Sequence, residues 1–328
     1  MRGERIFITG GCGFIGANLV KYLLERRTPK ITVYDNLSVG SKINLERAIV
    51  DSRRNDNPVE FIEGDILDKN KLSQAIKGHG VVIHLAAHTR VVESLENPQW
   101  NFDINVIGTF NTLEAARKNG AEKFIFASSN AAVGEQTPPI NEKMFSKPLS
   151  PYGASKLFGE GLCSAYFHSY GLKTVSLRFA NAYGPYSEHK TSVIAKFIRR
   201  TKRGEPLEIY GDGNQTRDFI HACDICQAIY LCLTTNRSPI HQSGKLWGEI
   251  FQIATFRETT IDEIAYAIKE IVEKETDKKI KIIHSKPRLG DVRSNFSDTS
   301  KAKKILGYEP HFDLHKGLRK TFEYFKNM

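Results

Sequence analysis

No run of apolar residues in this 328-residue chain approaches the length needed to cross a bilayer. No segment repeats and none is of low complexity, so solenoids and arrays are not in view. Five cysteines, Cys12, Cys163, Cys223, Cys226 and Cys232, give no disulfide framework. Cys223-x-x-Cys226 has the spacing of a redox or metal pair. It falls in the apolar, helical-looking stretch Ala222–Leu233 with no second ligand pair, and reads as buried thiols. A strand-like run starts by residue 5, which leaves no room for a secretory signal, and a cytoplasmic protein is expected. Lys and Arg outnumber Asp and Glu by 47 to 37, for a formal net charge of +10. The cations are dispersed, with a bias to the last quarter as in Lys278-Lys279-Ile280-Lys281, and form no nucleic-acid motif; a solvated basic face and no nucleic-acid partner are expected. His84 and His88 stand near a strand end without an acid cluster, so packed histidines and no metal are expected.

What is present is an ordinary globular balance, 40% hydrophobic and 26% charged residues, on a chain long enough for two domains. The first half alternates two periods. Strands are predicted at Arg5–Thr9, Ile31–Asp35, Glu60–Glu63, Val81–Ala86, Lys123–Ser128 and Thr174–Phe179, and helices at Phe14–Arg27, Lys69–Ile76, Pro98–Lys118 and Pro151–Tyr170. This rhythm predicts an α/β fold, a doubly wound parallel Rossmann sheet over residues 1–180. Past Asn181 the pattern loosens, with a strand at Leu207–Tyr210, a helix at Cys223–Leu233, a strand at Ile250–Ile253 and helices at Ile261–Glu275 and Lys316–Phe325. Residues 181–328 are expected to form a smaller α+β substrate domain, with some segments free to return to the first.

The chain's start carries chemistry. Thr9-Gly10-Gly11-Cys12-Gly13-Phe14-Ile15-Gly16 lies between a predicted strand and a predicted helix. In that context glycines make a tight turn, admit a pyrophosphate to backbone N–H groups, and let helix and strand pack closely. The helix N-terminus then favours the anion. Two registers fit, Gly10-x-x-Gly13-x-x-Gly16 and Gly11-x-Gly13-x-x-Gly16, and the sequence leaves both open. Asp35 closes the second strand at the distance of a ribose-gripping acid, and a carboxylate there repels a 2′-phosphate, so NAD is expected over NADP.

Tyr152 and Lys156 lie four apart, on one face of a predicted helix. A free phenol titrates near pH ~10 and is a poor base. A neighbouring ammonium favours phenolate. Ser128-Ser129 follows a buried strand upstream of this pair, at the strand ends where ligands bind in such sheets.

These residues resemble the extended short-chain dehydrogenase/reductase family over essentially the whole chain. The marks are the glycine turn, Asp35-Asn36, Gly64-Asp65-Ile66, His84-Leu85-Ala86-Ala87, Asn105, Ser128-Ser129, Tyr152-x-x-x-Lys156, Arg178–Pro185 and Arg217-Asp218. Within the family the chain is similar to nucleotide-sugar epimerases of the UDP-galactose/UDP-glucose 4-epimerase type. The resemblance implies that Gly10, Gly13, Phe14, Ile15 and Gly16 hold the cofactor pyrophosphate and that Asp35 and Asn36 hold the adenosine ribose. It implies that Asp65 and Ile66 flank the adenine, that Leu85, Ala86 and Ala87 line the cofactor, and that Asn105 lies near it. Ser129, Tyr152 and Lys156 are implied as catalytic, with Lys156 also bridging the nicotinamide ribose. Asn181, Tyr210, Arg217, Arg288, Asp291 and Asn295 are implied as substrate contacts, the two arginines neutralising a diphosphate.

The implied chemistry is NAD-dependent epimerisation at C4 of a UDP-hexose through a transient 4-keto sugar. A 4,6-dehydratase needs an added acid and base beside the serine, and here Asn130, Ala131 and Ala132 follow Ser129; none shuttles a proton. Uronate 4-epimerisation, decarboxylation and 4-ketoreduction stay open as alternatives. Asn295 stands where strict glucose/galactose epimerases carry a bulkier residue, which extends the expected range to N-acetylhexosamines. Arg90 is either a partner for a uronate carboxylate or a solvent-facing arginine. A non-catalytic NAD sensor would keep the fold but commonly loses Ser, Tyr or Lys, and this chain has all three. A homodimer through Pro98–Lys118 and Pro151–Tyr170 is implied.

Overall fold

The computed structural model describes residues 5–28, 30–54, 56, 58–234, 246–287 and 293–328. Seven parallel strands make the central sheet. Six come from the first half: β1 (Arg5–Thr9), β2 (Lys30–Asp35), β3 (Val59–Glu63), β4 (Val81–His84), β5 (Lys123–Ser129) and β6 (Lys173–Phe179). The seventh is Glu249–Ile253, and the order across the sheet is Glu249–Ile253, β6, β5, β4, β1, β2, β3. The chain winds outward from β1 to β3, then restarts beside β1 with β4. A sheet wound this way opens a crevice at the carboxyl ends of its strands where the order reverses.

Alternate residues of each strand serve opposite layers. Ile6 and Ile8 join Leu19, Val20 and Leu23 of the helix Phe14–Glu25, whereas Phe7 joins Leu113, Phe124 and Phe126 on the other face. Burial on both faces is why these strands read as continuous apolar runs. Three later segments pack in the first of these layers: the helix Ala222–Thr234 through Ile225 and Ile229, the seventh strand through Phe251, and the helix Ser300–Leu306 through Ala302 and Leu306. A separate core joins Phe197, Ile198, Ile209, Ile264, Ile268, Leu318 and Phe322.

Several boundaries differ from expectation. The predicted helix Pro98–Lys118 is broken into α-helical Pro98–Phe102, a π-helical turn over Asp103–Ile107, and α-helical Gly108–Lys118. The wide turn lets Asn105 face inward, and Gly108 leaves room for Ile66, whose Cδ1 lies 2.3 Å from where a Cβ would stand. The strand predicted over Val81–Ala86 ends at His84, which frees Leu85–Ala87 to line the crevice. A helix at Val193–Arg203, for which no element is predicted, carries Ile194, Phe197 and Ile198 into the second core. Among the described residues no helix is long and apolar enough to cross a membrane.

Candidate active site

The glycine turn opens the cleft. Gly10 has φ +73°, and a Cβ there would lie 2.6 Å from the Ala86 amide nitrogen. At Gly16 a Cβ would lie 2.2 Å from the Gly10 carbonyl oxygen. Gly10, Gly13, Phe14, Ile15 and Gly16 all line the cleft, whereas Gly11 backs onto Val33, where a Cβ would meet Cγ1 at 2.6 Å. The helix Phe14–Glu25 has Gly13 as its N-cap and no side-chain cap, so its first-turn N–H groups face the cleft without a protein acceptor from that position.

Asp35, Asn36, Asp65 and Ile66 line the same cleft. Asp35 also organises the turn: one carboxylate oxygen accepts the Cys12 N–H at 2.9 Å and the other the Leu37 N–H at 2.8 Å. Burial raises its pKa, against the pull of those two backbone donors. Asn36 Nδ2 donates to Asp65 at 2.9 Å, and Asp65 accepts the Leu67 N–H at 2.8 Å, so the two loop ends are tied together.

Leu85, Ala86 and Ala87 form the cleft wall after β4. Asn105 lies beneath it, buried, with Oδ1 accepting the His88 N–H and Nδ2 donating to the His88 carbonyl, both at 2.8 Å. Its amide also reaches Ser155 Oγ at 3.2 Å, linking the wall to the helix that carries Tyr152. His84 is packed as expected. Thr109 donates to the Asn105 carbonyl, so it accepts from His84 Nε2–H at 3.0 Å, and Nδ1 accepts from Thr9 at 2.7 Å. That neutral tautomer agrees with a pKa pulled down to about 3 by burial. Arg90 pairs with Glu93 at the surface. Among the described residues no cluster suited to a metal occurs, and all five cysteines are free thiols.

Ser129, Tyr152 and Lys156 meet at the end of β5. Ser150 caps the helix Pro151–Tyr170 by accepting the Gly153 N–H at 3.1 Å, which fixes Tyr152 in the first turn. The Ser129 hydroxyl hydrogen-bonds the Tyr152 phenol. Lys156 Nζ donates to the Ala127 carbonyl at 2.8 Å and lies 5.9 Å from the Tyr152 ring centroid. The electrostatics differ from the sequence expectation. Burial raises the Tyr152 pKa, opposed by the Ser129 hydrogen bond, and Lys156 is not among the influences on it. Burial also pulls Lys156 down to about 8, with Glu160 resisting. Burial disfavours the charged form of each group, the phenolate and the ammonium alike.

Ser128 points elsewhere. Its hydroxyl donates to Glu160 at 2.5 Å, and Arg178 grips the same carboxylate through Nε and Nη2, both at 2.7 Å. Of the expected substrate contacts, Asn181 is exposed in the short strand Asn181–Tyr183 just past β6. Tyr210 ends the strand Leu207–Tyr210, with Lys196 Nζ 4.9 Å from its ring centroid. Arg217 lies in Thr216–Arg217 and donates to the Thr216 carbonyl at 2.6 Å. The Asp218 carboxylate accepts from the backbone N–H groups of Thr255 and Phe256 at 2.8 and 3.0 Å, which anchors the 255–256 loop. Asn295 Oδ1 is buried and without a partner among the described residues. Arg288 and Asp291 lie outside the described residues. The cleft also holds Trp100, His189 and Lys190, for which no role is expected from sequence; only the loop after Pro185 hints at the last two.

A family profile described as GDP-mannose 4,6 dehydratase matches residues 7–321. The chain belongs to that family. Within the GDP-mannose 4,6-dehydratase family it is 33% identical to the UDP-glucose 4-epimerase of Mycolicibacterium smegmatis, over 98% of this chain and 99% of that one. It is 32% identical to the UDP-glucuronate 4-epimerase of Thermodesulfobacterium geofontis, over 97% and 95%. The structure of the Thermotoga maritima UDP-glucose 4-epimerase with UDP-glucose matches with a TM-score of 0.86 at 34% identity, covering 99% of each chain. That of the Thermus thermophilus UDP-glucose 4-epimerase complex with NAD matches with a TM-score of 0.84 at 32% identity, covering 98% and 99%. Relatives also include a dTDP-glucose 4,6-dehydratase from Streptomyces niveus. The chain is an enzyme of the nucleotide-sugar epimerase/dehydratase group of extended short-chain dehydrogenases/reductases.

Proposed function

We propose that this enzyme interconverts UDP-hexoses at C4 with NAD as a retained, recycled cofactor. The carrying observation is the Ser129–Tyr152–Lys156 constellation followed by Asn130-Ala131-Ala132. Asn130 Nδ2 is spent on Ser297 Oγ at 2.7 Å, and the nearby buried carboxylate, Glu160, is held by Arg178. Neither is free to remove or deliver the proton that loss of water from C5 and C6 requires.

The cleft fits NAD. The open helix N-terminus and the two glycines where a Cβ would strike backbone suit a diphosphate, and Asp35 suits an unphosphorylated ribose. NAD, when bound there, would supply reversible hydride acceptance at the sugar C4. Tyr152, as phenolate, takes the proton of the sugar 4-hydroxyl and gives it back on return. Ser129 supplies the hydrogen bond that favours phenolate and holds the reacting oxygen. Lys156, anchored on the Ala127 carbonyl, keeps a cation one helical turn from the base.

Residues 181–328 supply the nucleotide-sugar half in this reading, with Asn181, Tyr210, Arg217, Arg288, Asp291 and Asn295 toward the substrate. The Asn295 oxygen, buried and unpartnered among the described residues, supports acceptance of N-acetylated sugars as well as glucose and galactose. A homodimer is proposed through the exposed apolar side chains Phe102 and Phe110 of residues 98–118 and Phe158 of the helix Pro151–Tyr170. The test is incubation with a panel of UDP-sugars without added NAD, products resolved by NMR. C4 epimers are expected, and Tyr152→Phe should abolish turnover while retaining nucleotide. A 4-keto-6-deoxy product, or a need for stoichiometric NADH, would overturn the proposal.

A further inference from the structure

Among the described residues Lys190 is a cation without an acid partner in the cleft. It lines the same cleft as Gly10, Gly13 and Gly16. Among the described residues its side chain hydrogen-bonds the Thr89 hydroxyl at 3.0 Å, and no carboxylate pairs with it. Burial and the charge of Arg90 both lower its pKa. An ammonium facing the same space as the positive end of a helix dipole is unfavourable unless an anion lies between them.

The loop that presents Lys190 is held firmly over the glycine-turn helix. Asn18 Nδ2, on that helix, donates to the Pro185 carbonyl at 2.8 Å. Tyr186 sits buried at φ +61°, a left-handed conformation that a non-glycine residue keeps only when its surroundings impose it; its hydroxyl bonds Asp51 and its ring meets Tyr324 at 4.8 Å. Arg199 Nη1 donates to the Lys190 carbonyl at 2.7 Å, fixing the far end. A lysine so placed serves position as well as charge.

We infer that Lys190, resting on Thr89, binds the diphosphate of the dinucleotide from the side of the cleft opposite the glycine turn, so that the cofactor is clamped between the two halves of the chain. The diphosphate is chosen over an acid on the sugar because Lys190 shares its cleft with the glycines, not with Ser129, Tyr152 or Arg217. This rests on the NAD reading above and deepens it, adding a retention device that makes the cofactor a permanent part of the enzyme.

The experiment compares wild type, Lys190→Met and Lys190→Arg by the nucleotide retained per protomer after dialysis and by calorimetric titration with NAD, ADP-ribose and adenosine. Lys190→Met should weaken NAD and ADP-ribose on the order of tenfold or more, leave adenosine unchanged, and be partly rescued by Lys190→Arg. Unchanged NAD affinity would overturn the inference, as would an equal loss for adenosine. Unchanged NAD affinity with a raised KM for the UDP-sugar would assign the cation to the substrate instead. If wild type itself binds no NAD, the cofactor reading fails first and this inference with it.

Discussion

Replacing Glu160 with glutamine tests how the reactive end of β5 is held. Glu160 accepts two hydrogen bonds from Arg178 and one from Ser128, and Glu160 and Arg178 are each 2% exposed. Glutamine keeps the shape of the side chain, so no cavity forms. What is lost is the charge, and the guanidinium stays buried without its partner. Breaking such a pair from one side costs about 3–5 kcal/mol. At roughly 2–4 °C per kcal/mol this is a fall in Tm on the order of 10 °C. Urea unfolding followed by circular dichroism measures it, in Glu160→Gln, Arg178→Met and the double variant. The double variant should be less destabilised than the sum of the singles, because it buries no orphan charge. Glu160 also holds up the pKa of Lys156, so Glu160→Gln should lower the pH at which Lys156 loses its proton further below about 8. A loss under about 1 kcal/mol, or strict additivity of the singles, would refute the account of a buried pair.

Gly16→Ala places a Cβ 2.2 Å from the Gly10 carbonyl oxygen, so retained nucleotide, read by absorbance after denaturation, should fall at least about tenfold; wild-type retention would show that the turn yields. His84 and His221 are held neutral by burial, each with a pKa of about 3 against 6.5. The unfolded chain binds more protons between those values, so stability falls as pH drops below 6.5, by about 2 kcal/mol per histidine at pH 5. Urea midpoints at pH 7 and pH 5 should therefore differ less in His84→Gln than in wild type; an unchanged difference would contradict the burial argument. Asn105→Ala should loosen the His88 wall and raise the Kd for NAD without altering the pH dependence of kcat, because its amide holds backbone and not a reacting atom.

Continuous apolar runs between turn residues made β1, β2, β4 and β5 legible, since strands buried on both faces leave that trace. The glycine turn was legible as a motif but not in register: Gly11 and Gly10 read alike until Val33 is seen beneath one and Ala86 beside the other. The two- and three-residue strands Thr216–Arg217, Thr259–Thr260 and Asn181–Tyr183 are too short to show alternation. Val193–Arg203 went unseen because Lys196, Arg199, Arg200, Lys202 and Arg203 crowd the stretch, although Ile194, Phe197, Ile198 and Thr201 form a helical face. That Tyr152 and Lys156 share a helix face was legible by spacing, and Ser129 was singled out from Ser128 by the family resemblance. Their electrostatic balance was not legible, because desolvation depends on what packs around them. Partners far apart in sequence, such as Asn105 with His88 or Lys190 with Thr89, leave no local trace.

Ser128 and Ser129 are adjacent hydroxyls with separate employers, Glu160 for one and Tyr152 for the other. Sliding β5 by a single residue would hand the chemical post to an amide and leave the brace to a wrong oxygen, with almost no change in composition. On the proposed mechanism strand alignment is itself a determinant of reactivity: a lesion in the sheet far from the cleft would silence turnover while the folded chain still looks intact.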